Sequence, residues 1–428
     1  IITSLVAVLV VVSAQAQTAS TTRETPKLVI GITIDQLRGD YLELFKHTFT
    51  ERGFKRLFNE GLVYQNMRFE FPGLNDASAI ATIYTGATPF YHGITGRDKY
   101  QVDKKRVAST FDDENFLGNY TQDKVSPTAI KVTTISDELK IASRGISDVY
   151  SFAPEAHQAL ITAGRAGNCA FWVEDYSGKW ASSTYYYDFH WVVDQENKNP
   201  SAYSEKAFGM QWNSLPITYN AFAYTQGNSF QHNLGGNQDT YKRFKKTPFV
   251  NEDVRDITSK LMGKAELGKR ISPDFLSLTF YAGNYPKAEE YSLEIQDTYA
   301  RLDREIEKLL DEVDKTVGLK NTLIFVTSTG YYNSNEIKPN ELNPIRIADG
   351  IFYTNRCEAL LNMYLMAIYG KEKWVDKFYN RQIYLNRKLI EDKQLSLKEI
   401  QQKAAEFVSE FTGVQEVYTS YQLRLGEW

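Results

Sequence analysis

The chain has 428 residues, with 49 Lys and Arg against 53 Asp and Glu, a net charge of −4. That balance excludes a broadly basic nucleic-acid-binding protein, because affinity for a phosphate backbone rests on clustered cations. Hydrophobic residues at 42% and charged residues at 24% exclude a disordered chain and a multi-span membrane protein.

Residues 1–16, IITSLVAVLVVVSAQA, are apolar and uncharged and close on Ala-Gln-Ala. They are expected to be the hydrophobic part and cleavage site of a secretory signal peptide, clipped of its charged start. The run is shorter than the ~20 residues that cross a bilayer. The mature protein is therefore expected to be exported to a periplasm or cell envelope without spanning the membrane. Residues 17–26 read as a polar linker.

The segment KLVIGITID (27–35) is a β-branched run that reads as a buried parallel strand with Asp35 at its carboxyl end. Tyr41, Leu44, Phe45, Phe54, Leu57 and Phe58 recur at helical spacing around a break at Gly53. A run of small residues, DASAIATIYTG (76–86), suits a helix packed tightly on a sheet, and Ile135–Ala142 reads as another helix. From about 170 to 264 the chain turns rich in Tyr, Trp, Asn and Gly, which reads as a cap inserted into a core of 27–169 and 265–428.

Beyond the cap, DFLSLTFYAG (274–283) reads as a strand. Tyr291, Ile295, Tyr299, Leu302, Ile306, Leu309 and Val313 then form the stripe of a long amphipathic helix. NTLIFVTSTG (321–330) is the next buried strand, and strand–helix–strand in this order makes an α/β crossover unit. The tail from Arg356 reads as mostly helical and stops at Trp428 without a terminal signal, so it too is expected to be clipped. Cys169 and Cys357 are the two cysteines, and spacing leaves open whether they pair.

Ligands of open α/β sheets bind outside the carboxyl ends of the strands. Asp35, the Gly73–Ser78 turn and the loops after Phe280 and Ser328 therefore matter most. Asp35 suits a metal ion or, equally, a carboxylate capping the next segment. Asp76 opens a helix, where an acid serves as N-cap and favours the positive dipole end. Ser78 is a weak nucleophile candidate, since a serine in a first helical turn usually packs or caps.

PKLVIGITIDQLRGDY, GFKRLFNEG, IYTGATPFYHGITG and the EIQDTYARLD helix before TLIFVTS resemble, in this order, the alkaline phosphatase superfamily. The likeness is strongest to the threonine-nucleophile alkaline phosphatases near the type I phosphodiesterase/nucleotide pyrophosphatase branch. It covers most of residues 26–428 and implies a three-layer α/β/α sandwich with a mostly parallel sheet. It also implies two zinc ions holding a phosphoryl group against a Thr or Ser nucleophile.

Matched residue by residue, Asp35 is the one metal ligand of the family that survives. The nucleophile position carries Asp76, and the phosphate-contacting Asn, Lys and Arg fall on Arg97, Glu155 and His157. No Asp or His lies between Asp274 and Asp297, where an Asp and a His of the metal set belong. The later Asp-His pair reads as Ser328-Thr329-Gly330-Tyr331, and no histidine follows His232. A two-zinc centre needs three or four ligands per ion, and Glu155 repels a phosphate dianion. The expectation is a pseudoenzyme with no cofactor, whose partner is an envelope protein, a glycan or a small ligand. The alternative is a phosphoric ester hydrolase with a reduced zinc site on Asp35 and Asp76, with His157, Arg97 or Arg165 facing an anionic substrate.

Overall fold

In the computed structural model the described residues are 25–199, 206, 209–221, 229–236, 239–285, 292–332, 344–347 and 350–426. The leader, most of the linker, Tyr291 and Trp428 lie outside them.

The first strand, β1 (Leu28–Asp35), is followed by α1 (Gly39–Leu44), α2 (Phe54–Glu60), α3 (Asp76–Thr85) and α4 (Pro89–His92). Next come β2 (Asp98–Gln101), β3 (Arg106–Ser109), β4 (Gly118–Asn119), α5 (Ile135–Ala142), β5 (Val149–Ala153), α6 (Ala156–Ala163), β6 (Cys169–Val173), β7 (Trp180–Ser183) and α7 (Trp191–Asn197). Then follow β8 (Gln211–Asn213), β9 (Gln231–Asn233), α8 (Thr240–Phe244), α9 (Phe249–Lys264), β10 (Asp274–Tyr281), α10 (Leu293–Thr316) and β11 (Thr322–Ser328). The C-terminal part holds β12 (Pro344–Ile347), β13 (Gly350–Tyr353), α11 (Thr354–Tyr369), β14 (Val375–Tyr379), β15 (Gln382–Leu385), α12 (Arg387–Asp392), α13 (Leu397–Ser409) and α14 (Ser420–Leu425).

The central sheet runs β11-β1-β10-β5-β6-β7-β4. It is parallel from β11 to β6, and β7 and β4 add antiparallel pairs at the far edge. β10 and β5 are buried along their whole length, as is β1 apart from Val29. Burial of both faces is why they read as continuous apolar runs rather than as alternating ones. Asp35 lies level with Tyr281, and Ile34 with Ser328, so three strand ends open on one rim.

Gly31 lets α3 come down on this sheet. A Cβ there would stand 2.5 Å from the Phe325 ring and 2.8 Å from the Tyr84 hydroxyl. Tyr84 instead reaches Ser277, with its Oη 2.7 Å from Oγ. Ala77, Ser78, Ala79, Ile80 and Ala81 are buried beneath it, so the small-residue run does serve close helix packing. Helix α6 packs against α3, β5 and β6, while α9 packs on β10, α10 and α7. This is the three-layer α/β/α architecture the sequence implied.

Three details differ from the sequence reading. The Tyr/Trp-rich stretch expected to leave the core at 170 first supplies β6 and β7 to the central sheet, because these strands are only five and four residues long and sit among aromatic loop residues. Asn75, not Asp76, caps α3. The tail contains the β14–β15 hairpin, whose Asn380 and Arg381 both take positive φ as a two-residue turn requires. Cys169 and Cys357 are both free and lie in separate hydrophobic cores.

Candidate functional site

The rim of the sheet gathers Asp35, the N-terminus of α3 and the N-terminus of α6. Asp35 is 4% exposed. Its Oδ1 accepts a hydrogen bond from Thr329 Oγ1 at 3.0 Å, and its Oδ2 lies 3.5 Å from the Gln158 amide. Thr329 in turn accepts from the Gln36 N–H at 3.1 Å. Burial, reinforced by the negative charges of Asp76 and Glu155, pushes the Asp35 carboxyl well above the usual range.

Asp76 is the first residue of α3. Its Oδ1 accepts from the Ala77 N–H at 2.8 Å, and its Oδ2 lies 2.8 Å from His157 Nε2. Burial favours the neutral acid, but the contact with His157 and the field of Arg97 outweigh it and bring the carboxyl down to about 2. His157 is 3% exposed and the Asp76 side chain 21%, so the imidazole is buried while the carboxylate keeps some contact with solvent.

Ser78 completes a reciprocal cap with Asn75. The Ser78 N–H donates to Asn75 Oδ1 at 3.1 Å, and the Asn75 N–H donates to Ser78 Oγ at 3.1 Å. The hydroxyl is committed to the helix end, which is the capping role rather than the nucleophilic one.

Arg97 has an exposed side chain and pairs with Asp98 at 3.3 Å. Burial of its surroundings opposes its charge, but Glu155, Asp98 and Asp76 together hold the guanidinium more firmly protonated than usual. Glu155 sits at the start of α6 and meets Lys245 Nζ at 3.2 Å; the same ammonium lies 2.5 Å from Asp175. Lys245 is 4% exposed. Burial lowers its proton affinity, and the two acids more than restore it.

Lys245 was invisible in the sequence as a site residue. It stands 90 positions from Glu155 in a stretch with several other lysines, and no local signal separates it from them.

The structure thus brings Asp35, Asp76, Arg97, Glu155 and His157 to one rim. It does not bring Arg165 there. That residue follows the C-terminal end of α6, whose eight residues span about 12 Å from the site end, and its carbonyl accepts from the Tyr185 hydroxyl instead.

Asn284 closes the rim at the end of β10. Its Oδ1 accepts from the Tyr332 hydroxyl at 2.8 Å and its carbonyl from Tyr281 Oη at 3.0 Å. Asn251 clamps the same strand end, exchanging two hydrogen bonds with the Tyr281 backbone at 2.7 and 2.8 Å. Among the described residues the donors nearest Asp35 are a hydroxyl and an amide, and no group of three or more His, Cys, Asp or Glu side chains converges. Zinc takes imidazole, thiolate and carboxylate ligands, and of these types the rim carries Asp35, Asp76, Glu155 and His157 among the described residues.

A mostly parallel sheet with ligand-facing strand ends, in this element order, defines an alkaline phosphatase-superfamily fold. The comparisons agree. The crystal structure of wild-type alkaline phosphatase PafA superimposes with a TM-score of 0.74 at 25% identity, over 94% of this chain and 80% of that one. The chain belongs to the type I phosphodiesterase / nucleotide pyrophosphatase family, whose sequence profile matches residues 29–423.

Similar proteins include alkaline phosphatase PafA of Elizabethkingia meningoseptica, 28% identical over 405 residues, 88% of this chain and 72% of PafA. A protein of Myroides odoratus named calcium-transporting ATPase is 29% identical over 420 residues, 92% of this chain and 76% of its own. Alkaline phosphatase PhoV of Synechococcus elongatus is 32% identical over 330 residues, 71% of this chain and 58% of PhoV.

Proposed function

We propose that this protein is an exported member of the superfamily that has lost two-zinc phosphohydrolysis and acts as a binding protein in the cell envelope. The observation that carries this reading is the Asp76–His157 pair. Where the family places a hydroxyl nucleophile, the chain places an acid whose outer oxygen is already held at 2.8 Å by an imidazole. An ionised carboxylate at that point repels an incoming phosphate dianion. Glu155 adds to the repulsion, and its countercharge, Lys245, is shared with Asp175.

The ligand is taken to be an envelope protein, a glycan or a small molecule. The apolar leader at residues 1–16 supports export, and among the described residues no helix is long and apolar enough to cross a membrane.

The test is turnover of p-nitrophenyl phosphate and bis-p-nitrophenyl phosphate with zinc added, alongside metal analysis of the purified protein. Turnover at the level of the uncatalysed background is expected. Stoichiometric zinc with turnover that disappears in Asp35→Ala overturns the reading in favour of a reduced metal site on Asp35 and Asp76.

A further inference from the structure

Helix α8 is seated on the turn between β6 and β7. The Tyr241 ring is buried where a Cβ on Gly178 would come within 2.1 Å of it, and Lys242 Nζ stands 5.0 Å over the Tyr176 ring. This seat fixes where the next residue after the helix, Lys245, delivers its ammonium. Nζ bridges Glu155, just beyond β5, and Asp175, just beyond β6, at 3.2 and 2.5 Å.

Glu155 is the N-cap residue of α6, and the rim contacts of that helix come from its first turn. The Glu155 N–H donates to Gln158 Oε1 at 3.3 Å, which turns the amide nitrogen of Gln158 toward Asp35 Oδ2 at 3.5 Å. His157, one residue earlier, meets Asp76 Oδ2 at 2.8 Å.

We propose that Lys245 is a positioning residue of the rim: by holding Glu155 it sets the first turn of α6, and with it the contacts of His157 with Asp76 and of Gln158 with Asp35. The charges give the reason. Arg97 feels both Glu155 and Asp76, and a cation between two acids is drawn toward the one that lacks another counterion. With Lys245 in place Glu155 is compensated, and Arg97 is left to Asp76. Without it Glu155 is repelled by Asp175 and drawn to Arg97, and the turn that carries His157 and Gln158 moves with it. This geometry holds whatever ligand the rim takes.

The experiment reads the Nε2 proton of His157 by NMR in the full chain with labelled histidines, at one neutral pH. A buried imidazole N–H bonded to an ionised carboxylate gives a low-field line that exchanges slowly with water, and His157→Gln identifies it among the five histidines. The line is expected to shift or be lost in Lys245→Met and to return to its native position in Lys245→Met/Glu155→Gln, where no unpaired Glu155 charge remains. Lys260→Met, which breaks the pairs with Glu196 and Asp256 instead, is expected to leave it unmoved.

A native line in Lys245→Met overturns the proposal. So does a line displaced equally in the double variant, which assigns Lys245 to packing alone, or one displaced in Lys260→Met. If Lys245→Met does not fold, the double variant decides: folded with the native line it supports the proposal, and unfolded or with a displaced line it overturns it.

Discussion

Asp76 is where a single side chain changes what the rim can do. Its carboxyl is held at about 2 in the folded protein by His157 and Arg97, against roughly 3.9 when unfolded. A depressed acid stabilises the fold fully above its unfolded value, and that contribution is lost as pH falls through the folded one. The melting temperature of the native protein is therefore expected to exceed that of Asp76→Asn at about pH 6, and the difference is expected to shrink between about pH 4 and 2. Thermal melts of the two proteins across that range check it.

Lys245 is the other residue on which the rim depends. Removing its charge in Lys245→Met leaves Glu155 and Asp175 facing one another without a counterion. Breaking a buried pair costs about 3–5 kcal/mol, but both acids keep some water, at 32% and 40% exposure, so about 2 kcal/mol is expected. Adding Glu155→Gln to Lys245→Met is expected to recover part of the loss. Urea denaturation of the single and double variants measures the coupling.

Among the elements, α3 links the site to the sheet. Its Asn75–Ser78 cap turns the N-terminal N–H groups toward the rim, while Tyr84 a few turns on meets Ser277 in β10. Asn75→Ala removes the cap acceptor and is expected to cost about 1 kcal/mol. The Asn75 amide also donates to Gly73 and Thr95 carbonyls at 3.0 and 2.8 Å, which ties the preceding turn to the chain beyond α4. Hydrogen exchange in that turn should therefore rise in the variant along with the fall in stability.

Strands β1, β10 and β11 and helices α3, α5 and α10 were legible as elements because their apolar patterns are long and regular. Strands β6 and β7 were not. CAFWV and WASS are short and sit among aromatic loop residues, and their place in the sheet depends on pairing with strands distant in the chain. The same limit applies to capping: a carboxylate and an amide next to one another both suit a helix start, and only the backbone at Asn75 and Asp76 separates N-cap from first turn.

For the molecule as a whole, hydrophobic patterning alone determined an α/β sheet with its ligand edge at Asp35, since a run buried on both faces admits few other arrangements. The proposal that the family's metal ligands are mostly replaced likewise rests on residue types at matched positions, with no histidine between His232 and Trp428. Tertiary structure decided which charges meet. It set His157 on Asp76, drew Lys245 across to Glu155 and Asp175, and carried Arg165 to the far end of α6. Among the described residues it paired β11 with β1 alone. Coulomb and hydrogen-bond energies fall off over a few ångströms, and sequence separation does not encode those distances, so the chemistry of the rim became readable only once the strands and helices had placed it.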